Sequence, residues 1–177
     1  MKKRIIALGL LWCLSAVMLQ AARVDTVLVR SAAMNKDVKV VYVLPDKAIG
    51  KQACPVVYLL HGYGGNARSW VQLKPELPQM ADEKGIIFVC PDGKNSWYWD
   101  SPENPAYRYE TFVTSELVKY TDGNYATIPD RKARAISGLS MGGHGALWSA
   151  IRHKDVFGAA GSMSCLLYTS PSPRDRG

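Results

Sequence analysis

Residues 134–150 read Arg-Ala-Ile-Ser-Gly-Leu-Ser-Met-Gly-Gly-His-Gly-Ala-Leu-Trp-Ser-Ala, and this stretch decides the fold. A short apolar strand at Ala135 and Ile136 runs into Gly138-Leu139-Ser140-Met141-Gly142, and a helix of small and apolar residues follows. That is the strand–turn–helix context of a nucleophile elbow, in which a serine stands at the tip of a sharp, strained turn. The residues two before and two after it must be nearly free of side chain for strand and helix to come close, and Gly138 and Gly142 meet that need. Gly143 lets the helix pack tightly on the sheet. The helix N-terminus then turns its free N–H groups toward the place where negative charge would develop. The bland alternative is a Gly-rich turn with an unreactive serine.

Outward from the elbow, strands alternate with helices. Val24–Arg30 alternates apolar and polar residues as a half-buried strand, and Val38–Leu44 forms a second after a turn at Asn35 and Lys36. Pro45–Lys51 reads as a loop. Pro55–Leu60 and Ile86–Cys90 are continuous apolar runs, the pattern of strands covered on both faces. Pro78–Lys84 reads as a helix stopped by Gly85, Glu110–Tyr120 as an amphipathic helix, Gly142–His153 as the elbow helix, and Gly158 to about Ser162 as a last strand. The expected architecture is α/β, a mostly parallel sheet with helices on both faces. In such sheets function collects at the carboxyl ends of the strands. Three loops leave those ends, at Gly62–Asn66, at Pro91–Arg108 and at the elbow, and they should converge.

The loop His61-Gly62-Tyr63-Gly64-Gly65 follows the third strand, where one donor of an oxyanion hole is expected; the other comes from the residue after the nucleophile. These donors are the backbone N–H groups of Tyr63 and Met141, with Ser140 as nucleophile. Trp97 and Trp99, in the aromatic loop Asn95–Asp100, are candidates for contact with substrate; packing over the core is their alternative role.

His61-Gly-Tyr-Gly-Gly, Pro91-Asp-Gly, Tyr109-Glu-Thr-Phe-Val-Thr-Ser-Glu-Leu and Gly138-Leu-Ser-Met-Gly-Gly-His-Gly-Ala occur in this order. Together they resemble the esterase D family of α/β-hydrolases over about Val24–Ser164. The resemblance implies an α/β-hydrolase fold and a Ser–Asp–His mechanism through an acyl-enzyme on Ser140. It implies a small-molecule or polysaccharide ester as substrate, short-chain acyl, acetyl or feruloyl, with neither cofactor nor metal. It also leaves open an acyltransferase of the mycolyltransferase type and a non-catalytic carbohydrate-binding relative. In the family the position of His61 supports the oxyanion loop.

The fold's chain order is serine, acid, histidine. After Ser140 only His144 and His153 remain, both on the elbow helix, and neither completes a triad. From Cys165 the chain loses periodicity and departs from the family pattern, so residues 165–177 read as a non-native tail. The triad Asp and His are expected in a natural continuation, and the chain as written is expected to be nearly inactive. At the other end, Met1–Arg4 is basic and Ile5–Leu19 apolar, so residues 1–22 read as a signal peptide, residues 23–164 as the N-terminal part of the hydrolase domain, and the location as periplasmic or secreted. No stable membrane insertion is expected after cleavage.

Charge and cysteines fit this reading. Of the net charge of +7, Lys2, Lys3 and Arg4 supply three and Arg174–Arg176 a net one. The three left for the body are scattered, with no basic stripe, which argues against a nucleic-acid partner. Cys54 opens one strand and Cys90 closes its parallel neighbour, some 15 Å apart at about 3.3 Å per residue. That excludes a disulfide and predicts buried free thiols.

Overall fold

The computed structural model describes residues 22–165. Residues 1–21 and 166–177, on which nearly all of the expected signal peptide (1–22) and non-native tail (165–177) fall, lie outside the described residues. Strands β1 (Arg23–Ser31), β2 (Lys36–Leu44), β3 (Val56–Leu60), β4 (Ile87–Pro91), β5 (Arg134–Leu139) and β6 (Ala159–Met163) form one sheet in the order β1-β2-β4-β3-β5-β6. The pairs β3–β4, β3–β5 and β5–β6 are parallel; β1–β2 and β2–β4 are antiparallel. A hairpin thus extends the parallel part at one side. Strand β3 sits at the switch point, because the chain leaves it to build β4 on one flank and then crosses back to build β5 on the other.

The alternation of side chains explains why the central strands read as unbroken apolar runs. Val40, Tyr42, Tyr58, Leu60, Ile87, Val89 and Ile136 face one layer, where Phe112, Leu117, Met141 and Ala146 cover them. Val41, Val43, Leu59, Phe88 and Cys90 face the other, against Trp70, Leu77 and Ala81. Helices α2 (Ser69–Leu73) and α3 (Leu77–Lys84) supply that second layer. The first comes from α6 (Met141–Arg152) and from a helix that runs as α4 (Tyr109–Thr111), a π-helical turn (Phe112–Glu116) and α5 (Leu117–Asn124).

The sequence reading needs correction in three places. Pro45–Lys51 is not all loop: a single helical turn, α1 (Asp46–Ile49), occupies it, and the Asp46 amide is held by Asp82 at 2.9 Å. Helix α2 has too few residues for a periodic signal, so its one buried residue, Trp70, gave no pattern to read. The helix expected over Glu110–Tyr120 begins at Tyr109, continues to Asn124 and carries the π turn. The apolar pairs Phe112–Val113 and Leu117–Val118 are five residues apart, the spacing that an i→i+5 turn keeps on one face.

Candidate active site

Ser140 stands between β5 and α6 with φ 54° and ψ −115°, a region that non-glycine residues avoid. Three contacts impose it. The Ser140 amide donates to the Met163 carbonyl at the end of β6 (2.8 Å), and its carbonyl accepts the first bond of the following turn from the His144 amide (3.0 Å). The helix also crosses at a distance only glycines permit: a Cβ on Gly138 would lie 2.2 Å from the Gly142 carbonyl oxygen, and one on Gly142 would lie 2.2 Å from that of Leu60. A Cβ on Gly143 would lie 3.1 Å from the Met163 carbonyl oxygen of β6 and 2.6 Å from the Ser162 hydroxyl. The elbow is therefore built by backbone-to-backbone approach across β3, β5 and β6.

Beside it, the loop after β3 closes as a four-residue turn, the Gly65 amide donating to the Gly62 carbonyl (3.0 Å), with Gly64 at φ 76° in the third position. The second residue of such a turn keeps its N–H unpaired, and that residue is Tyr63. Among the described residues neither the Tyr63 nor the Met141 amide donates a hydrogen bond within the chain. Gly62 abuts the elbow, since a Cβ there would lie 3.6 Å from Ser140 Cβ. The Tyr63 side chain points outward and is 66% exposed.

His61 and the loop after β4 hold this turn. The buried His61 ring bridges the two loops: its Nε2 accepts from the Gly93 amide (2.9 Å), which leaves the ring hydrogen on Nδ1 to donate to the Gly62 carbonyl (2.7 Å). Asp92 lies 3.7 Å from His61 and 2.8 Å from Lys94. Burial raises the Asp92 carboxyl, but hydrogen bonds from its neighbours, Lys94 among them, outweigh this and hold it well below the usual carboxylate range. The Tyr98 hydroxyl receives the His61 amide (3.0 Å), and the Asn95 carboxamide oxygen receives the Gly64 amide (2.8 Å). His61, Asp92 and Gly93 lie in motifs that carry the family resemblance; Asn95 and Tyr98 are brought in by a loop whose course no periodicity predicts.

Trp97 and Trp99 are 37% and 47% exposed. Both pack edge-on against His144, at 5.5 and 6.1 Å between ring centroids, and His144 Nδ1 lies 3.3 Å from the Trp97 carbonyl. Trp97 and Tyr98 both adopt positive φ, 57° and 59°. Each of the chain's three histidines has a partner other than Ser140: His61 and His144 as above, and His153 pairs with Glu110 at 2.8 Å. Glu110, which the sequence reading gave no chemistry, is a buried hub that also accepts from Trp148 Nε1 (2.8 Å) and Arg152 Nε (2.7 Å). A cleft of about 460 Å³ opens beside the loop after β3, lined by Tyr63, Ser69, Gln72, Leu73 and Leu139 with the backbone of Gly62 and Gly65.

A serine on a glycine-walled turn after the central parallel strands, in a sheet of this order, defines the α/β-hydrolase class. The model of the Esterase family matches residues 31–176, and the chain belongs to that family, in its esterase D type. It is 28% identical to an acetyl esterase of Caldicellulosiruptor saccharolyticus, over 72% of this chain and 50% of that protein. It is 34% identical to the diacylglycerol acyltransferase/mycolyltransferase Ag85A of Mycobacterium gordonae, over 81% of this chain and 43% of that one. A solved structure of a ferulic acid esterase superposes with a TM-score of 0.72 at 32% identity, covering 82% of this chain and 61% of the other. The chain thus spans about half the length of the curated relatives it matches.

Proposed function

We propose that the protein is an exported serine carboxylic-ester hydrolase, with Ser140 as nucleophile and short acyl, acetyl or feruloyl esters of polysaccharides as substrates. The observation that carries the reading is the strained Ser140 abutting a turn whose Tyr63 amide, like that of Met141, is left unpaired. Ser140 Oγ attacks the ester carbonyl carbon as its proton passes to a general base. The carbonyl oxygen becomes an oxyanion held by the two amides. Collapse expels the alcohol, which takes up the proton, and water repeats the sequence on the acyl-enzyme to release the acid. His61, His144 and His153 are committed elsewhere, so this reading takes the base and its acidic partner from beyond the described residues. The cleft at Leu73 and Leu139 is the acyl side, and the basic and then apolar residues 2–19 favour export to the periplasm or medium. No helix among the described residues is long and apolar enough to cross a membrane.

The test is labelling of the full-length protein with a fluorophosphonate, read by intact mass and peptide mapping. One adduct on Ser140, absent in Ser140→Ala, is the expected result; an unlabelled Ser140 overturns the assignment. The similarity to a mycolyltransferase supports a second reading, in which a sugar hydroxyl rather than water takes the acyl group. Transesterified product on adding an alcohol acceptor distinguishes it.

A further inference from the structure

A second pocket lies in the loop after β4, on the same side of the sheet as Ser140. It has a volume of about 320 Å³ and is lined by Asn95, Ser96, Trp99, Ser101, Asn104 and Tyr107. None of the six carries a charge. Trp99 and Tyr107 offer exposed ring surface. Lys36, a cation beside the aromatic wall, is engaged, 5.0 Å from the Tyr107 ring centre and bonded to the Ala106 carbonyl at 2.5 Å.

The polar side chains share one property. Each has its oxygen already taken by a backbone amide: Asn95 by Gly64 (2.8 Å), Ser96 by Tyr98 (3.1 Å), Ser101 by Asn104 (3.0 Å) and Asn104 by Ala106 (2.9 Å). Their hydrogens are not taken: among the described residues neither carboxamide NH2 group and neither hydroxyl donates a hydrogen bond within the chain. The pocket therefore presents uncharged donors between aromatic faces. A ligand that fits must bring neutral oxygen acceptors and C–H faces that lie on a ring, and a pyranose or furanose brings both.

We propose that this pocket is a subsite for a neutral sugar unit on the alcohol side of the scissile ester. The substrate part of the inference rests on the ester-hydrolase reading above; the binding part does not. Asn95 joins the subsite to the oxyanion turn, because the carboxamide that lines the pocket also holds the Gly64 amide. A sugar seated there is thus held one hydrogen bond away from the turn that carries the Tyr63 amide.

The experiment is calorimetric titration of the full-length Ser140→Ala protein with xylohexaose, cellohexaose and maltohexaose, so that no turnover intervenes. Saturable binding of at least one is expected. Asn104→Asp keeps the oxygen that the Ala106 amide needs but removes the free donors, and is expected to weaken that binding about tenfold. Trp99→Ala, checked for folding by circular dichroism, is expected to weaken it by a similar factor. No binding of any of the three at millimolar concentration, or Asn104→Asp binding as its parent does, overturns the subsite. Fluorophosphonate labelling of Ser140 is scored separately, so a failed subsite and a failed esterase assignment give different results.

Discussion

At Ser140, a half-buried residue at the tip of the elbow, the backbone stores strain. A residue held in such a region costs on the order of 1–3 kcal/mol, and glycine escapes most of that cost. Ser140→Gly is therefore expected to raise unfolding stability by about 1 kcal/mol in urea melts while abolishing fluorophosphonate labelling. A neutral or destabilising outcome in the melts would mean that φ 54° is not strained in its setting. Gly142 makes the opposite case. Its added methyl would meet the Leu60 carbonyl at 2.2 Å, where backbone on both sides forbids retreat. Gly142→Ala is expected to lose about 3 kcal/mol of stability, read as a shifted urea midpoint.

On the scale of elements, α6 is fixed at both ends. Its N-terminus is set by the elbow, and near its C-terminus Trp148, Arg152 and His153 converge on Glu110, at the start of α4. Burial pushes the Glu110 carboxyl up, but the three donated hydrogen bonds outweigh that and hold it below the ordinary carboxylate value. A carboxyl whose folded pKa lies below its unfolded one contributes stability above the unfolded value, near pH 4.3, and loses it as pH falls through the folded value. Glu110→Gln is thus expected to cost about 1 kcal/mol at pH 7 and to flatten the fall in stability below about pH 4.5. Urea melts at pH 7 and pH 3.5 measure both effects; equal losses at the two pH values would show that the hub acts by packing alone.

For the molecule as a whole, the two-layer cover of the sheet governs its thiol chemistry. Cys54 and Cys90 are free and buried; Cys90 lies on β4, whereas Cys54, expected to open β3, sits two residues before it in an isolated bridge to Thr127. Burial pushes the Cys90 thiol up to about 12. Alkylation of Cys90 by iodoacetamide at pH 8 is expected to wait on unfolding and to track the urea transition in mass-spectrometric peptide maps. Labelling in the native baseline at the rate of a free thiol would show that the layer of Trp70, Leu77 and Ala81 opens locally.

The strands and the elbow were legible in the sequence because each rests on local pattern: two-sided apolar runs for β3 and β4, and Gly138 and Gly142 flanking a serine. Family membership was legible too, since four motifs in fixed order carry it. The helix α2, the π turn and the short α1 were not, because none is long or regular enough to impose a period. The partners that hold the Gly62–Gly65 turn were hidden for another reason. Asn95 and Tyr98 lie more than thirty residues from the groups they bind, and a loop with three residues at positive φ (Lys94, Trp97 and Tyr98) brings them there. Glu110 carries no chemistry that the sequence alone assigns, because its partners Trp148, Arg152 and His153 lie about forty residues away. By itself the sequence determined which serine is raised and on what kind of sheet, because those are matters of residue size and periodicity. Which side chains brace it, and that its neighbouring loop encloses an uncharged, donor-lined pocket, only the tertiary structure decided, because both depend on where loops without periodicity come to rest.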